Sequence, residues 1–198
     1  MNLFNVYPLF NINPVKAQGS FLWDEKGQQY LDFYGGHAVI SIGHNHPLYV
    51  EKLKNQLEKI SFYSNSVENK IQEELADKLG KLAGYEDYSL FLCNSGAEAN
   101  ENALKLASFH NGKKKVVYFS ESFHGRTSAA VAVTDNPKIV APVNKSDNFI
   151  KCEFNNSEEL KKIFAENQNE ISAVIVEGIQ GVGGINLLTE DFILTVEK

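Results

Sequence analysis

Residues 88–107 read YSLFLCNSGAEANENALKLA: an apolar run, a small polar junction, then an amphipathic segment. Ser89 to Cys93 has the length and composition of a buried strand, and Gly96 to Phe109 the pattern of a helix. Ser95 followed three residues later by Glu98 is a capping box, in which each side chain satisfies an orphan backbone N–H of the first turn. A glycine inside that box also bares the backbone. A strand-to-helix junction then aims several unpaired N–H groups, and the positive end of the helix dipole, at one point that suits a phosphate. Locally, a plain helix cap and an anion site both fit these residues.

Outward from this junction the periodicity alternates. The expected order is strand 89–93, helix 96–109, strand KVVYFS (115–120), a loop and short helix from Ser122, strand FIKCEF (149–154), a helix N-capped at Ser157, and strand AVIVEG (173–178). Alternation of this kind predicts an α/β fold with a mainly parallel sheet covered by helices on both faces. Upstream, SFLWDEKGQQYLDF (20–33) reads as a hairpin turning at Asp24–Gly27. Two helical stripes follow, Val50, Leu53, Leu57 and Ile60, then Ile71, Leu75, Leu79 and Leu82, with Gly84 as the stop.

Composition sets outer bounds. The chain has 198 residues, 43% hydrophobic and 22% charged, with a formal net charge of −6. An acidic balance argues against nucleic acid or an anionic membrane surface as the main partner. The start, MNLFNVYPLF, has no basic leader region, and no apolar run reaches the length of a membrane span, so the expected location is the cytoplasm. Cys93 and Cys152 stand alone, without zinc-ligand spacing, and read as two buried, reduced thiols. Of 19 basic side chains 18 are lysine, and Arg126 is the sole arginine. The planar, bidentate guanidinium is thus kept at one place, where a carboxylate or phosphate can use it.

In open parallel sheets, ligands bind at the carboxyl ends of the strands. Three loops there carry chemistry: SGAE (95–98), ESFHGRT (121–127) and EGIQGVGG (177–184). His124 beside Arg126 has no recognisable Ser or Cys nucleophile to serve, so hydrolysis is not supported. Phe123 fits either a core position or an aromatic face that stacks on a flat heterocycle. Gly181-Val182-Gly183 lacks the third glycine and the following helix of a dinucleotide fingerprint. Glu177, at the end of an apolar strand, must meet a cation or a hydrogen-bonded ligand to offset its desolvation. His44-Asn45-His46-Pro47 reads as a turn before a helix, not a metal pair.

Taken together, NSGAEANENALKLA, FHGRT, VIVEGIQGVGG and LWDEKGQQYLDFYGGHAVISIGHNHP resemble the class III, fold-type I aminotransferases that use pyridoxal 5′-phosphate, and most closely their acetylornithine or N-succinylornithine branch. The resemblance runs nearly the whole length. It implies a fold-type I large domain begun at 61–198, preceded by a segment, 1–60, that contributes to the small domain. It places the cofactor phosphate on Ser95, Gly96 and Ala97, the pyridine ring against Phe123, and the substrate α-carboxylate on Arg126. Glu177 matches a glutamate that screens a second arginine as the enzyme exchanges an N-acylornithine for glutamate or 2-oxoglutarate. The implied reaction moves the δ-amino group of an acetylated or succinylated ornithine to 2-oxoglutarate, in arginine biosynthesis, in a homodimer. Ornithine and 4-aminobutyrate transaminases share these motifs, but the FHGRT arginine favours a substrate with an α-carboxylate.

One departure matters as much. The family's Schiff-base lysine, and the acid that keeps the pyridine nitrogen protonated, lie beyond the EGIQG loop, and no lysine here occupies the matching position. The resemblance therefore implies the front portion of a longer enzyme. Alone, such a chain is expected to bind the cofactor weakly, to transaminate nothing and to leave open sheet edges that threaten solubility. A non-catalytic phosphate-binding module is the competing reading, and it leaves the placement of Phe123 and Arg126 unexplained.

Overall fold

The computed structural model describes residues 1–197, and the chain falls into two compact units, Met1–Lys81 and Leu82–Lys198. In the first unit, β1 (Pro14–Gln18), β2 (Phe21–Asp24) and β3 (Gln29–Leu31) form an antiparallel sheet in that order. The predicted turn is there, and Asp24 builds it. Its Oδ1 accepts the N–H groups of Lys26 and Gln28, both at 2.9 Å, its Oδ2 accepts the Tyr30 hydroxyl at 3.0 Å, and Gly27 takes the left-handed φ of +79°. After one distorted turn, α1 (Gly35–Ala38), the His44 Nε2 meets Asp32 Oδ2 at 2.7 Å while Asp32 Oδ1 accepts the N–H groups of Tyr34 and Gly35. His44 is thus an organiser of the loop before α2 (Pro47–Leu57). Helix α3 (Lys70–Ala83) ends at Gly84, φ +72°, as the stop predicted. Neither α2 nor α3 has a buried residue, and Leu53, Leu57, Ile71 and Leu75 remain exposed.

The second unit holds the parallel sheet. Helix α4 (Gly96–Asn111) precedes β4 (Lys115–Phe119), followed by α5 (Ser128–Ala132), β5 (Phe149–Cys152), α6 (Ser157–Glu166), β6 (Ile171–Val174), β7 (Ile179–Gln180), β8 (Asn186–Leu187) and α7 (Glu190–Glu197). Strand β4 is central, paired in parallel with β5 (Val117 opposite Ile150) and with β6 (Val117 opposite Val174). Side chains alternate across it as the pleat requires. Val116 packs with Leu104 of α4 and Val133 on one face, whereas Val117 and Phe119 pack with Leu160, Ile163 and Phe192 on the other. Both faces carry helices, the expected fold class.

Several local expectations change. Residues 89–93 form no strand, because among the described residues they have no sheet neighbour. A strand is made by its ladder and its packing, not by apolar composition alone. Leu90, Phe91 and Leu92 are exposed, and so is Cys93, so only Cys152 is the buried thiol; burial there pushes its pKa up to about 12. The short helix opens at Ser128, not Ser122, because residues 120–127 are spent on a loop with its own hydrogen bonds. The cap of α6 is Asn156, whose side chain accepts the Glu159 N–H at 3.1 Å, and Ser157 is the first helical residue, buried with its hydroxyl on Asp191. β5 and β6 end two and four residues short of their predicted ends, at Cys152 and Val174.

Candidate functional site

The start of α4 is built as its residue types dictate. Ser95 is extended (φ −156°, ψ 158°), and its Oγ accepts the Glu98 N–H at 3.1 Å. The reciprocal half of the capping box shifts back by one residue: Glu98 Oε2 accepts the Asn94 N–H at 2.7 Å. The N–H groups of Gly96 and Ala97, first in the helix, have no acceptor within it. A Cβ placed on Gly96 would meet nothing within 4 Å, so the backbone there is open to an approaching group.

The loop after β4 is folded against this helix start. Its outer end is tied to the segment that follows α5: the Glu121 N–H donates to Asp135, the Ser122 hydroxyl to the Val133 carbonyl, and the His124 N–H to Thr134 Oγ1. Its inner end is tied to α4. Asn100 Nδ2 donates to the His124 carbonyl at 2.8 Å, and Glu101 accepts from the Thr127 hydroxyl at 2.7 Å and from the N–H groups of Ala129 and Ala130 at about 3.0 Å. Gly125 sits between, at φ +133°, so close that a Cβ would lie 2.5 Å from the Ala97 Cβ. Only glycine fits that approach.

These contacts bring Ser95, Gly96, Ala97, Phe123 and Arg126 to one cleft of about 580 Å³, which Asn100, His124, Gly125 and Thr127 complete. That size is ordinary for a small-molecule site. Glu177 is not among the lining residues. Its Oε1 accepts the Phe123 N–H at 2.9 Å and its Oε2 the Gly181 N–H at 3.2 Å, so the carboxylate braces the loop that carries Phe123 to the glycine-rich loop after β6. That glycine-rich loop closes as the β7–β8 hairpin around buried Gln180, whose Nε2 donates to the Ser120 carbonyl at 2.7 Å.

His124 is buried, and among the described residues its Nε2 has no hydrogen-bond partner. Burial lowers its pKa below the usual imidazole value, against the opposing pull of the Glu177 charge. Glu101 titrates the other way from what burial alone dictates. Burial pushes its carboxyl up, but the N–H groups of Ala129 and Ala130, the Thr127 hydroxyl and the nearby Lys105 outweigh it, and the net shift is downward. The ionised form is the one that holds the loop.

The lining therefore offers helix-terminus N–H donors for a phosphate, an aromatic side chain for a flat ring, and a guanidinium for a carboxylate. Among the described residues it contains no lysine and no carboxylate. Their arrangement suits a ligand that combines an anion with a flat ring, and offers it no amine for a covalent bond. Asn100, Glu101 and Thr127 were not singled out from the sequence. The available signal was spacing: Ala97, Asn100 and Glu101 stand at i, i+3 and i+4, one face of the helix.

Residues 5–198 match the family model for class-III aminotransferases. Over its full length the chain is 38% identical to an acetylornithine aminotransferase of Bacillus amyloliquefaciens, covering 85% of that protein. It is 42% identical over 184 residues to an acetylornithine aminotransferase of Archaeoglobus fulgidus, covering 92% of this chain and 48% of that one. Among solved structures, taurine:2-oxoglutarate aminotransferase from Bifidobacterium kashiwanohense, in complex with PLP and glutamate, superposes with a TM-score of 0.86 at 23% identity, over 93% of this chain and 47% of that one. The chain spans about half the length of several other acetylornithine aminotransferases it matches.

Proposed function

Since the chain belongs to the class III aminotransferases, of fold type I, we propose that it is the cofactor-phosphate- and carboxylate-binding portion of an enzyme that moves the δ-amino group of an N-acylornithine to 2-oxoglutarate, leaving an aldehyde and glutamate. The family works with pyridoxal phosphate. When bound, that group supplies an aldehyde to take up the amine and a ring that withdraws electrons from the reacting carbon. This chain's own residues hold and aim. The N–H groups of Gly96 and Ala97, with the positive end of α4, receive the phosphate; Phe123 lies against the ring; and Arg126 forks the substrate α-carboxylate, leaving the far δ-amine to reach the reacting end. Glu177 braces the Phe123 loop and, in this reading, adds a negative charge that matters when a dicarboxylate replaces the acylornithine.

The observation that carries the proposal is the convergence of Ser95–Ala97, Phe123 and Arg126, from two separate elements, on one cleft. The class of substrate rests on Arg126 and on the acetylornithine relatives. Among the described residues the cleft offers no lysine for the step that needs one, so in this reading the 198-residue chain alone transaminates nothing. In the assembled enzyme, a homodimer in the cytoplasm in this reading, a downstream lysine supplies that step.

The test uses 4-deoxypyridoxine 5-phosphate, which keeps ring and phosphate but has no aldehyde to react with surface lysines. Calorimetric titration of the full 198-residue chain should show binding that inorganic phosphate competes away and that Phe123→Ala weakens about tenfold, the order expected for loss of a stacked ring. Binding insensitive to both phosphate and Phe123 would sink the assignment of the cup. Turnover of N-acetylornithine with 2-oxoglutarate by the chain alone would refute the statement that it is inactive.

A further inference from the structure

We propose that Glu101 is a positioning residue for Arg126, and that through it α4 sets the distance between the phosphate cup and the carboxylate-binding guanidinium. The inference rests on the reading of Arg126 given above, and it adds the device that makes that arginine selective.

Helix α4 presents both ends of the site. Its first two residues, with Ser95 before them, form the cup, and its next turn holds the loop in which Arg126 lies. Ala97 closes on Gly125, Asn100 holds the His124 carbonyl, and Glu101 holds Thr127, Ala129 and Ala130. Residues 124, 125 and 127 flank Arg126 on both sides, so its backbone is fixed to the same helix that carries the cup. Of the three clamps, the Glu101 carboxylate makes the most hydrogen bonds. Both of its oxygens meet the Ala129 N–H, at 3.0 and 2.9 Å, and Oε2 also takes the Ala130 N–H and the Thr127 hydroxyl. It is the side-chain cap of α5, whose own N-cap residue, Thr127, makes no side-chain cap. Charge-assisted hydrogen bonds of this kind are about twice as strong as neutral ones. Glu101 itself does not line the cleft, so it touches neither phosphate nor carboxylate. Its effect is transmitted through the backbone of residues 127–130.

A fixed separation between phosphate and guanidinium discriminates between ligands by whether their carboxylate falls at the fork. Small errors of placement cost affinity out of proportion to their size. Loosening the loop should therefore remove the preference for a carboxylate while leaving the phosphate end unaffected. A merely structural role for Glu101 would weaken both ends together.

Two matched ligands separate these outcomes without a lysine: the reduced phosphopyridoxyl conjugate of N-acetylornithine, joined through its δ-nitrogen, and that of N-acetylputrescine, identical but for the missing carboxylate. Dissociation constants are measured on the full 198-residue chain. The wild type should prefer the carboxylate-bearing conjugate by about tenfold, in keeping with one charge-assisted interaction. Glu101→Ala should abolish that preference. Glu101→Gln, which keeps the volume and one acceptor oxygen and guards against loss of folding, should cut it to roughly threefold. In both variants the N-acetylputrescine conjugate should bind within about twofold of wild type, the ordinary scatter for an untouched contact. An unchanged preference in both variants overturns the inference and leaves the Arg126 reading intact. A parallel loss of affinity for both conjugates also overturns it, since it marks a general structural role. Absence of any preference in the wild type removes the Arg126 reading itself.

Discussion

Gly125 is the position where a single methyl group should separate folding from binding most sharply. In Gly125→Ala the new Cβ would lie 2.5 Å from the Ala97 Cβ, 2.9 Å from the Ala97 Cα and 3.2 Å from the Ala130 Cβ, at a φ of +133°. The backbone conformation alone costs an L-residue about 1–3 kcal/mol. Relieving the contact requires the loop to move off α4 by about 1 Å, and overpacking of this kind costs about another 1–3 kcal/mol. The sum, about 2–6 kcal/mol, is a large part of the 5–15 kcal/mol that stabilises a typical domain. With an m-value of about 1–3 kcal/mol/M, a mid-range loss shifts the urea midpoint by more than about 1 M. Unfolding followed by far-ultraviolet circular dichroism measures it. Gly96→Ala is the control: its Cβ meets no protein atom within 4 Å and the residue is helical, so stability should hold or rise by up to about 1 kcal/mol. The same methyl sits in the proposed phosphate cup, so affinity for 4-deoxypyridoxine 5-phosphate should fall. If Gly125→Ala unfolds at the wild-type midpoint, the close approach of loop and helix is not what holds the site; if Gly96→Ala destabilises the fold, the open cup is wrong.

Other perturbations address the remaining contacts. Ser95→Ala removes the side-chain cap of α4 and should cost about 1 kcal/mol in urea unfolding, with a Thr replacement recovering most of it. Glu177→Ala deprives the Phe123 and Gly181 N–H groups of their acceptor and should increase amide hydrogen exchange at both; Glu177→Gln, which keeps one oxygen, should raise only one of them strongly. His124, held below its ordinary value of 6.5 by burial, takes up a proton more readily when unfolded, so its contribution to stability is complete above that value and declines as pH falls below it. His124→Gln should flatten stability measured between about pH 7 and pH 5 relative to wild type; an unchanged slope would show that another group titrates there.

What could be read from the chain, and what could not, divides by the range of the interaction. The Asp24–Gly27 turn, the stop at Gly84 and the Ser95–Glu98 cap are visible in sequence because the atoms that make them are three or four residues apart. Residues 89–93 have the composition of a buried strand, but a strand exists only beside another, and among the described residues this segment has no such neighbour. Cys93 was misplaced with it. Phe123 and Arg126 were picked out by chemical type, an aromatic and a lone arginine at a strand end, and the structure brings both to the cleft. Glu177 was expected to need a partner because an apolar strand cannot carry a bare charge; it found two backbone N–H groups.

Glu101 escaped for a related reason. A glutamate between two asparagines on a helix that also carries Lys105 looks like a solvated face, which is what most such stretches are. The distinction lies in spacing along α4: Ala97, Asn100 and Glu101 form one stripe, small then polar then charged, and a stripe of that kind fits a loop that approaches closely at one end and needs acceptors at the other. NSGAEANE is thus more than a capped helix start. Within eight residues it holds the proposed cup, the close contact that admits Gly125 and the carboxylate that holds the segment after Arg126. The relation between the two proposed anion-binding points is therefore written in one local stretch, although the points themselves lie some thirty residues apart in the chain.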